Sequence, residues 1–127
     1  VKVVTDLSTL TETDMSVRRI KVDIKPLTVN RAWQGKRFKT PEYKAYEQEL
    51  LLKLPNDFKV PKDGHLVVKY EFGVSSRVDW DNPIKPFQDV LQKKYGFDDN
   101  RIIDGTVIKT IVKRGEEFAR FWIKRVI

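Results

Sequence analysis

The sequence contains no cysteine among its 127 residues. That absence removes disulfides, thiolate metal sites, iron–sulfur clusters and cysteine nucleophiles together. The single histidine, His65, cannot build a histidine-rich zinc centre alone, so an intrinsic metal would need mainly oxygen ligands. No apolar run approaches the length that spans a bilayer. The signal-peptide pattern of basic start, apolar run and small-residue cleavage site is missing as well. This inventory fits the cytoplasm. No internal repeat or low-complexity tract occurs. The chain opens on Val1 and its one methionine is Met15, which leaves the authentic start open.

What is present is charge. Charged residues make up 34% of the chain and hydrophobic residues 40%, a globular balance that suits one domain. Lys and Arg total 25 against 18 Asp and Glu, for a formal net charge of +7. Such an excess favours a polyanionic partner, either nucleic acid or an anionic membrane surface.

Patterning predicts an α+β domain over 18–127, preceded by an arm over 1–17 that is flexible or adds an edge strand. Strict alternation at 20–24 reads as a strand ended by Pro26, and a polar loop follows over 28–39. Thr40-Pro41-Glu42 is a helix start, with Tyr43, Tyr46, Leu50 and Leu54 forming its buried stripe. Residues 66–72 alternate as a strand. A second helix is expected over 83–95, with Gly96 as its stop. Strands over 106–112 and 118–126 flank Lys113-Arg114-Gly115-Glu116, a hairpin signal. The order is strand, helix, strand, helix, strand, strand. The simplest packing is one mixed sheet with both helices on one face.

The informative stretch is Asp79-Trp80-Asp81-Asn82. In an extended segment the two carboxylates point to one side, and Trp80 alternates away to pack beneath them. Like charges held this close need compensation, and a divalent cation with hard oxygen ligands supplies it. Asp98 or Asp99 could fold back beside this pair, and Asp104 could approach the same place. Lys85, four residues after Asp81, would share its face if both lay on one helical turn. Each feature has a plainer reading. Asp and Asn are common turn residues, Asn82-Pro83 resembles an ordinary helix start, and Lys85 fits a surface ion pair. Pro86 adds a difficulty, because a helix capped at Asn82 would place it where the first intrahelical N–H is needed.

Taken together, Asp79-Trp80-Asp81-Asn82, Lys85, Asp89, Leu91, Asp98-Asp99 and Asp104 resemble the signature of RusA-type Holliday junction resolvases. The family pattern is D-x-D-N-x-x-K-x-x-x-D-x-L, then a D-D pair, then an Asp five residues on. The resemblance is densest over 77–104 and extends loosely across 20–126, through Pro26, Asn30 and Tyr43-Lys44-Ala45-Tyr46. Pro83 and Pro86 depart from the family, which favours helix formers after the Asn. The resemblance implies a small homodimeric endonuclease of phages and prophages, acting in the host cytoplasm. Such enzymes cut four-way DNA junctions by paired symmetric incisions with Mg2+ or Mn2+. By the same resemblance Asp79, Asp81 and Asp99 are the metal-holding, catalytic acids and Lys85 is the catalytic lysine. Asn82, Asp98 and Asp104 support them. A carboxylate-held ion can serve phosphodiester hydrolysis at the attacking water, the nonbridging oxygen and the leaving oxygen, giving 5′-phosphate and 3′-hydroxyl ends.

DNA arms would be held by basic residues around the acids. The candidates are Arg31, Lys36, Arg37, Arg77, Lys93, Lys94 and Arg101, against the plain alternative that each is a solvated surface residue. Trp33 could stack on bases at an open junction, although a core or interface role suits it equally. Trp122 reads as sheet packing and His65 as a bystander. Two other classes remain compatible with the sequence. One is a nuclease for flaps or other branched DNA with the same acids, and the other is a non-catalytic nucleic-acid-binding module.

Overall fold

Both longer helices form where their periodicity predicts them, and the first also starts on its predicted cap. The structure, a computed structural model, describes residues 18–34 and 38–126, without the side chains of Asn30, Trp33, Gln34 and Phe38. The expected arm over 1–17, Lys36 and Arg37 therefore lie outside the described residues, as does the Trp33 side chain. The elements are β1 (Ile20–Val22), α1 (Val29–Ala32), β2 (Trp33–Gln34), β3 (Phe38–Lys39), α2 (Pro41–Lys53), β4 (His65–Val74), α3 (Ile84–Tyr95), a 3-10 turn at Asp99–Arg101, β5 (Ile102–Ile111) and β6 (Phe118–Val126).

Thr40 caps α2, its hydroxyl accepting from the Tyr43 amide at 3.1 Å and donating to the Arg31 carbonyl at 2.6 Å. Tyr43, Tyr46, Leu50 and Leu54 are buried, as their spacing predicts. Gly96 ends α3 in the left-handed region, φ 67°, with its amide on the Gln92 carbonyl at 2.8 Å. The two prolines of this region are accommodated because α3 starts at Ile84. Pro86 then occupies a first-turn position whose N–H has no helical acceptor anyway. Both Pro83 and Pro86 are fully buried, so each contributes packing as well.

The domain is α+β, with a four-stranded mixed sheet in the order β1-β6-β4-β5. β6 runs antiparallel to β1 and to β4, while β4 and β5 are parallel over Leu66–Val74 and Ile102–Ile111. Leu66, Val68, Tyr70, Phe72 and Val74 on β4 join Phe121 and Ile123 on β6 and the buried stripes of α2 and α3 in one core. Phe87 centres it, with edge-on ring contacts to Tyr70 and Phe72 at 5.3 Å and to Phe121 at 5.7 Å. On the other face Val67, Trp122 and Val126 make a second, small cluster.

Two expectations need correction. The segment 28–39 is not simply a polar loop, since it holds α1 and a small antiparallel ladder pairing Trp33 with Lys39 and Gln34 with Phe38. The last two strands are also not a hairpin. The turn at 113–116 forms, with the Glu116 amide on the Lys113 carbonyl at 2.9 Å, but β4 lies between β5 and β6. β4 buries Leu66, Val68, Tyr70, Phe72 and Val74 against the helices, and the parallel β5 and antiparallel β6 satisfy its backbone on the two edges.

Candidate metal and nucleic-acid site

Asp79 and Asp81 leave the end of central strand β4 on an ordered turn. The Asn82 amide donates to the Asp79 carbonyl at 3.1 Å, and the Ile84 amide to the Asp81 carbonyl at 3.2 Å. Trp80 Nε1 donates to the Val107 carbonyl at 2.8 Å, and Lys109 Nζ to the Val78 carbonyl at 2.9 Å. The segment is thus a series of turns pinned to β5, not the extended stretch that strict alternation assumed. Trp80 accordingly does not pack beneath the acids. It is 54% exposed, its indole lying along the β5 edge. Both carboxylates are exposed, and no described residue forms an ion pair with either.

The other acids do not converge on this pair within one chain. β4 and β5 are parallel, so Asp98 and Asp99, which precede β5, sit beside the start of β4 while Asp79 and Asp81 follow its end. Val107, where Trp80 is anchored, lies five positions along β5 from Ile102, about 16 Å. Asp98 is instead the cap of the 3-10 turn, accepting from the Asn100 amide at 3.1 Å. Asp104 is exposed and pairs with Val67, whose side chain lies on the face away from the helices. Among the described residues, no group of three or more His, Asp or Glu is placed to hold a metal ion.

Lys85 does not face Asp81. Its Nζ bonds Asp89 Oδ2 at 3.2 Å, one helical turn on, because Asp81 stands in the turn before α3. Several basic candidates are committed structurally. Arg101 donates to the carbonyls of Pro61, Asp63 and Gly64 at 2.7 to 2.9 Å, clamping the loop that leads into β4. Lys93 pairs with Glu47 at 3.1 Å, and Lys94 donates to the Leu51 carbonyl and Asn56 Oδ1. Arg31 and Arg77 are exposed, with no described side-chain partner.

Those two arginines mark a feature that sequence reasoning missed. A cleft of about 770 Å3 opens beside Asp79, lined among others by Arg31, Tyr46, Arg77, Asp79 and Asn82. Its walls come from the 24–28 linker, α1, α2 and the segment after β4, so no local motif announces it. Tyr46 is 6% exposed, and its buried hydroxyl has no hydrogen-bond partner among the described residues. Burial, then the neighbouring Tyr43 and Glu49, push its phenol well above the usual range.

Comparison with known proteins returns no family model that matches the chain and no similar curated protein. Among the described residues no helix is long and apolar enough to cross a membrane.

Proposed function

We propose that this chain is a divalent-metal-dependent endodeoxyribonuclease that resolves four-way DNA junctions as a homodimer. The observation that carries the reading is the presentation of Asp79 and Asp81. They are two exposed acids without a described ion pair, on a turn pinned by hydrogen bonds, in a protein of net charge +7. Hard-cation binding explains both the residue type and the exposure.

The donor set fits Mg2+ or Mn2+, with Asp79 and Asp81 as carboxylate ligands. When bound, such an ion supplies charge neutralisation on the scissile phosphate and a more acidic water. The chain's own residues do the positioning. The turn holds the two acids at the end of β4, and Arg31 and Arg77 lie beside Asp79 as unpaired cations for flanking phosphates. In this reading Asp99 joins the same site from a second copy. A twofold axis that brings the start of β5 in one subunit to the end of β4 in its partner would unite Asp79, Asp81 and the partner's Asp99. It would also give the two sites that paired incisions require.

The test is cleavage of a mobile synthetic four-way junction, with duplex and flap controls, in Mg2+, Mn2+ and chelator. Paired symmetric nicks are expected, abolished by chelator. They should fall at least about a hundredfold with Asp81→Asn, while its thermal unfolding stays at the wild-type position. Junction binding without cutting in either metal would instead support a binding module. Preferential flap cutting would retain the acids and reject the junction substrate.

A further inference from the structure

The cleft beside Asp79 is not needed to hold a metal ion, and its size and lining point to a ligand. We propose that it receives one nucleotide, unpaired and unstacked from the branch point, next to the phosphate that is cut. This rests on the nuclease reading above.

Shape gives the first argument. A volume of about 770 Å3 falls in the range of small-molecule sites. A duplex arm is far too wide to enter it, whereas a single base with its sugar is of the right order. Chemistry gives the second. Arg77 and Asp79 are separated by one residue on the same exit segment, so a phosphate-contacting cation and a candidate metal ligand stand side by side. Arg31 adds a further exposed cation from α1. The half-buried Asn82 supplies an amide that can both donate and accept, beside the largely buried Tyr46. Glu42, from α2, brings an acid to the same lining, which disfavours phosphate there and can accept a base N–H. The charges therefore sort a nucleotide by its ends, with phosphate toward Arg31 and Arg77 and base toward α2.

Energetics give the third argument. Extruding a nucleotide costs a few kcal/mol in a duplex and least where pairing is already interrupted. A branch point is such a place. A recess that accepts one extruded nucleotide would favour branched over uniform DNA without reading sequence along the arms.

The experiment uses four-way junctions carrying 2-aminopurine at each branch-flanking position in turn, bound by the full chain in Ca2+. The base fluoresces weakly when stacked and strongly when extruded. Ala45→Trp fills the cleft from the exposed face of α2, and Ser76→Trp fills it from the segment after β4. Leu52→Trp adds the same bulk on α2 at a position 87% exposed and outside the cleft lining. A several-fold rise is expected at one position with wild type and Leu52→Trp. It should be lost with both cleft-filling variants while junction binding persists. No rise at any position, or a rise that survives both fillings, would overturn the proposal. Parallel samples in Mg2+ separate the two readings. Cleavage without the fluorescence change rejects the nucleotide cleft alone, and the fluorescence change without cleavage rejects the nuclease alone.

Discussion

At the residue scale, Tyr46 separates what a pattern shows from what a site needs. Its place on the α2 stripe is legible from spacing, and it is buried. The stripe does not reveal that its hydroxyl is buried without a described partner. An unpartnered buried hydroxyl loses its bonds to water and gains none in return. Tyr46→Phe should therefore leave stability unchanged or raise it by up to about 1 kcal/mol, read as the midpoint of urea unfolding at constant slope. A clear loss would mean that the hydroxyl is bonded in solution. Asp79 and Asp81 show the reverse case. Their type and spacing were visible, but the extended geometry inferred from alternation was not adopted. Turn hydrogen bonds to the Asp79 and Asp81 carbonyls prevail over it locally.

At the element scale, α2 is tied to its neighbours by Glu47, which bonds Lys39 at 2.9 Å on β3 and Lys93 at 3.1 Å on α3. Burial raises the Glu47 carboxyl, but the bonds from Lys39 and Lys93 outweigh it, and the net shift is downward. A lowered folded value means that the bridge stabilises above the ordinary glutamate range. That stabilisation is lost as pH falls through the lowered value. Glu47→Gln should cost about 1 kcal/mol at neutral pH. The difference from wild type should vanish in acid below the carboxylate range, as chemical denaturation across pH would reveal. On the other face of the sheet, Gly73 lies under the Phe118 ring, and a Cβ there would meet ring carbons at 2.4 Å. Phe118 also carries Lys21 at 5.0 Å and Arg120 at 5.2 Å over its ring. Gly73→Ala must displace that ring. A loss of about 1–3 kcal/mol is expected in thermal or urea unfolding.

At the scale of the whole molecule, the parallel pairing of β4 and β5 decides where the acids go. It sets Asp99 just before the start of β5, while the Asp79–Asp81 turn is pinned farther along the same strand at Val107. If a second copy completes the site, Asp81→Asn and Asp99→Asn homodimers should each be inactive. Their mixture, after subunit exchange, should recover single-strand nicking, because one of the two sites in the mixed dimer is then intact. A mixture as inactive as its parents would place the whole acid set in one chain, and an active Asp99→Asn homodimer would remove Asp99 from it. A nicking assay on a labelled junction reads either result.

The sequence by itself determined the elements whose signals are local. Thr40-Pro41 starts α2, Gly96 stops α3, and the alternating residues of β4 mark one buried face, because caps, left-handed turns and side-chain periodicity act within a few residues. It also exposed the acidic motif through its spacing. Tertiary packing alone put β4 between β5 and β6, clamped a loop with Arg101 and opened a cleft beside Asp79. Each of these depends on segments far apart in the chain. Strand order depends on which edges pair across the whole sheet, and a cleft is the space left when separate elements have packed.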